Sequence, residues 1–137
     1  MNIIYKENKD ISKDDLNKLY GDNGWTLYTN DLDKLKRSLE KSLYVKSAWK
    51  EDELIGLIRV VGDDESILYI QDILVLEKYH RKGIGSKLVK DVLEKYSHVR
   101  QKALLTGESE QQDKFYRSLG FIKPSEDHCV AFIRHDI

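Results

Sequence analysis

The spacing of apolar residues changes once between residues 67 and 96, in ILYIQDILVLEKYHRKGIGSKLVKDVLEKY, and the rest of the chain is organised around that change. Two apolar runs, 67–70 and 73–76, are separated only by Gln71 and Asp72. Their length, β-branching and near-continuous apolarity predict a strand buried on both faces. A polar stretch follows, after which Ile84, Leu88, Val92 and Tyr96 recur every four residues, with Val89 and Leu93 widening the stripe. That period predicts an amphipathic helix of about three to four turns. The order is therefore buried strand, basic glycine turn, helix.

Weaker versions of the same signals run through the flanks. Residues 2–5 read as a short strand. Ser12 and Asp15 have capping-box spacing and open a helix through Leu16, Leu19 and Tyr20, which the segment GDNG then breaks. Trp25 to Tyr28 form an apolar-aromatic patch expected in a loop. Asp31 is placed to cap a second helix carrying Leu32, Leu35, Leu39 and Leu43 on one face. Residues 44–50 and 54–61 alternate as two strands, and 98–105 as another. Ser109 can cap a helix that ends at Gly120, a C-cap signature. Pro124 to Asp127 make a turn, and 128–134 predict a final strand closing a hairpin with 120–122. Strands in succession, then strand, helix and strand, make an α+β pattern.

Composition narrows the function classes. The 137 residues suit one domain, 1–137, with a sizeable core. Lys plus Arg number 23 against 24 Asp plus Glu, so no overall field favours nucleic acid or an anionic membrane. No apolar run reaches 18 residues and the N-terminus MNIIYKENKD lacks a signal-peptide core, which points to a cytoplasmic protein. Cys129 is alone, so no internal disulfide is expected, and His98, His128 and His135 lack metal-ligand spacing, so no metal is assigned.

The glycine turn carries candidate chemistry. A helix start leaves its first N–H groups unpaired and carries partial positive charge. Gly83 and Gly85 allow positive φ and close approach by an anion, and His80, Arg81 and Lys82 add charge beside it. A tight turn with no ligand is the alternative. Neither a P-loop nor a dinucleotide fingerprint fits. The first needs four residues between its glycines; the second needs a third glycine where Leu88 stands.

The run His80-Arg81-Lys82-Gly83-Ile84-Gly85, with DILVLEKY before it, resembles the acyl-CoA loop of the GNAT N-acetyltransferases, written Gln/Arg-x-x-Gly-x-Gly/Ala, with His80 departing at the first position. FYRSLGF, residues 115–121, is similar to the family's FYxxLGF segment. Ser109 stands where many members have Asn. The resemblance implies a GNAT fold, an α+β (three-layer α/β) architecture with a mixed, mostly antiparallel sheet of six to seven strands and about four helices. It implies acetyl-CoA as cosubstrate and a primary amine, small-molecule or peptide, as acceptor, without nucleic acid or membrane partners. Main-chain N–H groups across Arg81, Lys82, Gly83, Ile84, Gly85 and Ser86 are expected to hold the CoA pyrophosphate, and the strand edge at Leu74 and Val75 the pantetheine arm. Tyr116 is expected to protonate the leaving thiolate; a core aromatic is the plainer alternative.

Asp72 needs its own explanation. A buried carboxylate is costly unless paired, so it either meets a partner such as Arg59 or faces a cavity. GNAT proteins often carry a bulge in this strand, which would aim Asp72 at the cleft as general base, directly or through water. Trp25 and Tyr28 are expected either to line the acceptor pocket or to plug the core. The GWT segment and its following helix also resemble, more distantly, plant and cyanobacterial arylalkylamine (serotonin-type) acetyltransferases. A non-catalytic acyl-CoA-binding module is the rival reading, and the terminal strand suits pairing in a homodimer.

Overall fold

The computed structural model describes residues 2–136, which fall into two compact units divided between Leu105 and Thr106. The first unit is a five-stranded sheet in the order β1-β2-β3-β4-β5 with its helices. β1 (Ile4–Glu7), β2 (Tyr44–Lys50), β3 (Glu53–Gly62) and β4 (Ile67–Val75) pair antiparallel, and β5 (Gln101–Leu104) lies parallel to β4. α1 (Lys13–Asp22), α2 (Thr26–Thr29) and α3 (Leu32–Lys41) precede β2, and α4 (Ile84–Lys95) joins β4 to β5.

Local chemistry sets these boundaries. The Ser12 hydroxyl accepts from the Asp15 amide and donates to the Asp15 carboxylate, starting α1. Asp31 accepts from the Lys34 amide and starts α3. β4 alternates rather than being sealed on both faces, with Leu68, Ile70, Asp72 and Leu74 buried. Gly56 and Arg59 of β3, three residues apart, face opposite sides of the sheet. Ile84 of α4 packs at Gly56, whereas Arg59 faces Tyr28 of α2, so α4 covers one face and α1 with α2 the other.

Two features open the sheet in its middle. The β3–β4 register runs Arg59↔Asp72 and then Val60↔Ile70, leaving Gln71 as an extra residue: the bulge is real. β5 pairs β4 only from Ile67 to Ile70, so from Gln71 to Val75 the outer edge of β4 has no strand beside it among the described residues.

The second unit holds α5 (Glu110–Ser118), capped by Ser109 accepting from the Gln112 amide, and a 3₁₀ turn at Pro124–Asp127. The expected hairpin of 120–122 with 128–134 is not there. The described residues give five strands, not six to seven, and five α-helices, not four. Arg117 clasps Glu126 at 2.7 and 3.2 Å and fixes the turn to α5, and His128 sits at φ +59°, after which the chain forms no ladder. Phe132 is 95% exposed. Period-two apolarity supplies propensity, but a strand also needs an edge to pair with.

Candidate active site

Asp72 lies at the centre of a buried polar network and is 1% exposed. Its Oδ2 accepts from Arg59 Nε at 2.7 Å and Tyr20 Oη at 2.9 Å, and its Oδ1 accepts from Tyr28 Oη at 2.8 Å. Arg59 also reaches the Tyr28 oxygen, at 3.3 Å, and Ser42 Oγ, at 3.4 Å. Burial, with Asp72 alongside, pushes both phenols above the ordinary tyrosine range, so both stay protonated and donate. Burial alone would lower the Arg59 guanidinium; the neighbouring carboxylate outweighs it and holds it above its usual value. The pairing anticipated for Asp72 is therefore present, and its carboxylate reaches the surface only through Tyr28.

Tyr28 is half-buried and belongs to an aromatic group with Tyr20, at 5.0 Å between ring centroids, and Trp25, at 6.0 Å. Trp25 and Tyr28 sit not in a loop but at the N-cap and within the single turn of α2, too short to have a readable period. Gln71, exposed on the bulge, donates from Nε2 to the Tyr28 oxygen at 3.0 Å.

At the far end of β4 the main chain alternates. The Leu76 amide donates to Ile55 O of β3, so Leu74 faces β3 as well, while Ile73 and Val75 face the open edge. Of the two positions expected at that edge, Val75 lies there and Leu74 does not; Ile73 takes its place. Val75 O accepts from His80 Nε2 at 2.8 Å, which requires the proton on that nitrogen.

The glycine turn follows. Arg81 has φ +63° and Gly83 has φ +82°, two left-handed residues in three at the start of α4. Gly83 is the N-cap of α4 and supplies no side-chain cap, so the amides of Ile84, Gly85 and Ser86 begin the helix unpaired. The Ile84 side chain is core, leaving only its amide for a ligand. Arg81 and Lys82 are exposed and form no ion pair among the described residues. Gly56 was not singled out in the sequence, yet it seats this helix start: a Cβ there would lie 3.2 Å from Ile84 Cγ2.

Within the second unit, Tyr116 is largely buried on α5, edge-on to Phe115 at 4.9 Å and Phe121 at 5.9 Å. Burial raises its phenol, and a hydrogen bond with Thr106 offsets this in part. Lys114 pairs with Glu110, and Arg117 with Asp113 and Glu126, so these helix charges are already partnered. Among the described residues no helix is long and apolar enough to cross a membrane, and no cluster of three or more His, Cys, Asp or Glu could hold a metal ion.

A family model described as an acetyltransferase (GNAT) domain matches residues 8–136. A GNAT-family acetyltransferase from Streptococcus pneumoniae superposes with a TM-score of 0.88 at 36% identity, covering 98% of each chain. The chain is 32% identical over 92 residues to the "Uncharacterized N-acetyltransferase YvbK" of Bacillus subtilis, covering 65% of this chain. It is 30% identical over 90 residues to Protein ElaA of Escherichia coli, covering 64% of this chain. Each alignment spans 59% of the curated relative's length.

Proposed function

Because the chain belongs to the GNAT acetyltransferase family, we propose that residues 1–137 act as one domain moving acetyl from acetyl-CoA to a primary amine. The observation that carries the reading is the outer edge of β4, open from Gln71 to Val75 and leading into a turn with unpaired amides. Amides from Arg81 to Ser86 take the pyrophosphate, with Arg81 and Lys82 adding charge. The pantetheine arm lies along Ile73 and Val75. Four residues of strand span about 13 Å, which brings the thioester to the bulge.

There the amine nitrogen attacks the thioester carbon. The C–N bond forms, and a main-chain N–H at the bulge holds the developing oxyanion. The C–S bond then breaks and the thiolate takes a proton, the role that the likeness of FYRSLGF to the family's FYxxLGF segment assigns to the Tyr116 phenol. The amine proton leaves to water at the open edge, and both Asp72 oxygens keep their hydrogen bonds to Tyr28, Tyr20 and Arg59. Trp25 and Tyr28 line the acceptor side and favour an amine with an apolar body, of which an arylalkylamine is one case. Screening an amine panel for thiol release from acetyl-CoA tests the reading. Acetyl-CoA binding without transfer to any amine would favour the acyl-CoA-binding module instead.

Gly83→Val is expected to weaken acetyl-CoA binding at least tenfold. The backbone there is left-handed, which a β-branched residue resists, and the added side chain would project into space open for at least 4 Å. Calorimetry giving wild-type affinity would reject the pyrophosphate assignment. A homodimer belongs to the same proposal, supported by apolar Val130, Phe132 and Ile133 standing in water. Phe132→Ser is then expected to shift sedimentation toward monomer.

A further inference from the structure

Asp72 has no capacity left for a substrate. Both of its oxygens are taken, by Tyr28 on one side and by Tyr20 with Arg59 on the other, and almost none of it is exposed. The residue beside it is differently placed. Gln71 is the one the bulge adds; it has no counterpart in β3, it is exposed, and it stands where β5 has parted from β4.

The orientation of its amide follows from counting protons. The Tyr28 hydroxyl has one proton, and the ion-paired Asp72 carboxylate, which only accepts, takes it. The Tyr28 oxygen can therefore only accept from Gln71. The amide nitrogen faces inward at 3.0 Å, and Oε1 is turned outward. Among the described residues no side chain or amide donates to Oε1. Buried Arg59 and Asp72 fix Tyr28, Tyr28 fixes Gln71, and the chain of donors ends in a directed carbonyl oxygen at the open edge.

From this we infer that Gln71 Oε1 accepts a hydrogen bond from the N–H of the acceptor amine and so turns the nitrogen lone pair toward the thioester. The inference rests on the acetyltransferase reading and adds to it an acceptor-binding residue. A neutral oxygen suits this task. It binds the amine in either protonation state, whereas a carboxylate would favour the unreactive ammonium.

The test is steady-state kinetics with acceptor and acetyl-CoA varied separately. Gln71→Met preserves length and apolar stem at an exposed site. It is expected to raise the acceptor KM about tenfold, the loss of one hydrogen bond to a polar group, while the acetyl-CoA KM stays within twofold and thermal unfolding is unchanged. Gln71→Glu is expected to lower the acceptor KM and kcat together and to move the kcat–pH profile upward, because it holds the ammonium. An acceptor KM within twofold of wild type in Gln71→Met, or equal rises in both KM values, overturns the inference and leaves the acetyltransferase reading intact. A wild-type enzyme that acetylates no amine overturns the reading itself, and the inference falls with it.

Discussion

Asp72→Ala is expected to lower the free energy of unfolding by about 3–5 kcal/mol, the largest stability loss predicted for a single substitution here. The variant leaves the Arg59 guanidinium, 7% exposed, without its counter-charge, and leaves the Tyr20 and Tyr28 hydroxyls without their acceptor. Unpaired buried donors each carry a desolvation penalty, and a buried charge carries more. Replacing both charges by apolar groups of similar volume, as in Arg59→Met with Asp72→Leu, is expected to recover a substantial part of the loss, because attraction between the two ions only partly offsets their desolvation. Urea unfolding of the two singles and the double closes the cycle. If Asp72→Ala unfolds at the wild-type midpoint, the network does not hold α1 and α2 to the sheet, and Asp72 is free to serve chemistry alone.

That network explains which parts of the site could be read from the chain. The sequence pattern marked Gln71 and Asp72 as a polar interruption in an apolar strand, and the bulge lies there. The partners of Asp72 were harder to find, because Arg59, Tyr28 and Tyr20 come from 13, 44 and 52 residues away. Sequence order says that a buried carboxylate needs a partner; only folding says which side chains arrive. Arg59 was nameable because the antiparallel hairpin brings β3 beside β4. Tyr20 looked like one more apolar position of α1, and its hydroxyl had no visible address.

The elements divide in the same way. β2, β3, β4 and α4 emerge close to their expected ranges, since each carries several periods of its own pattern and local caps or turns. α2 has one turn and no period. The terminal segment has the alternation of a strand but forms none, because pairing depends on an edge elsewhere. The open stretch of β4 was expected only through the family resemblance, whose bulge splays this strand to make a cleft; nothing in residues 98–105 themselves announces that pairing stops at Leu104. Gly56 was equally silent, since its importance lies in the space it leaves for Ile84.

Tyr116→Phe is expected to cut kcat for acetyl transfer by about 10²–10⁴, the usual range for a positioned acid or base, with acetyl-CoA affinity unchanged. The substitution removes one oxygen and keeps the ring, so the edge-on contacts with Phe115 and Phe121 persist and folding is preserved. Burial raises the Tyr116 phenol above the ordinary tyrosine value, which matters for the direction of the pH effect. A raised value keeps the proton on the oxygen throughout the neutral range, the state that a general acid needs. Activity that depends on this proton is therefore retained through neutral pH and lost only as pH climbs above the ordinary tyrosine range. Tyr116→Phe should abolish that alkaline limb as well as lower the plateau. A variant that keeps wild-type kcat on every responsive amine while still binding acetyl-CoA would return Tyr116 to the role of a packed aromatic and leave the thiolate to be protonated by water.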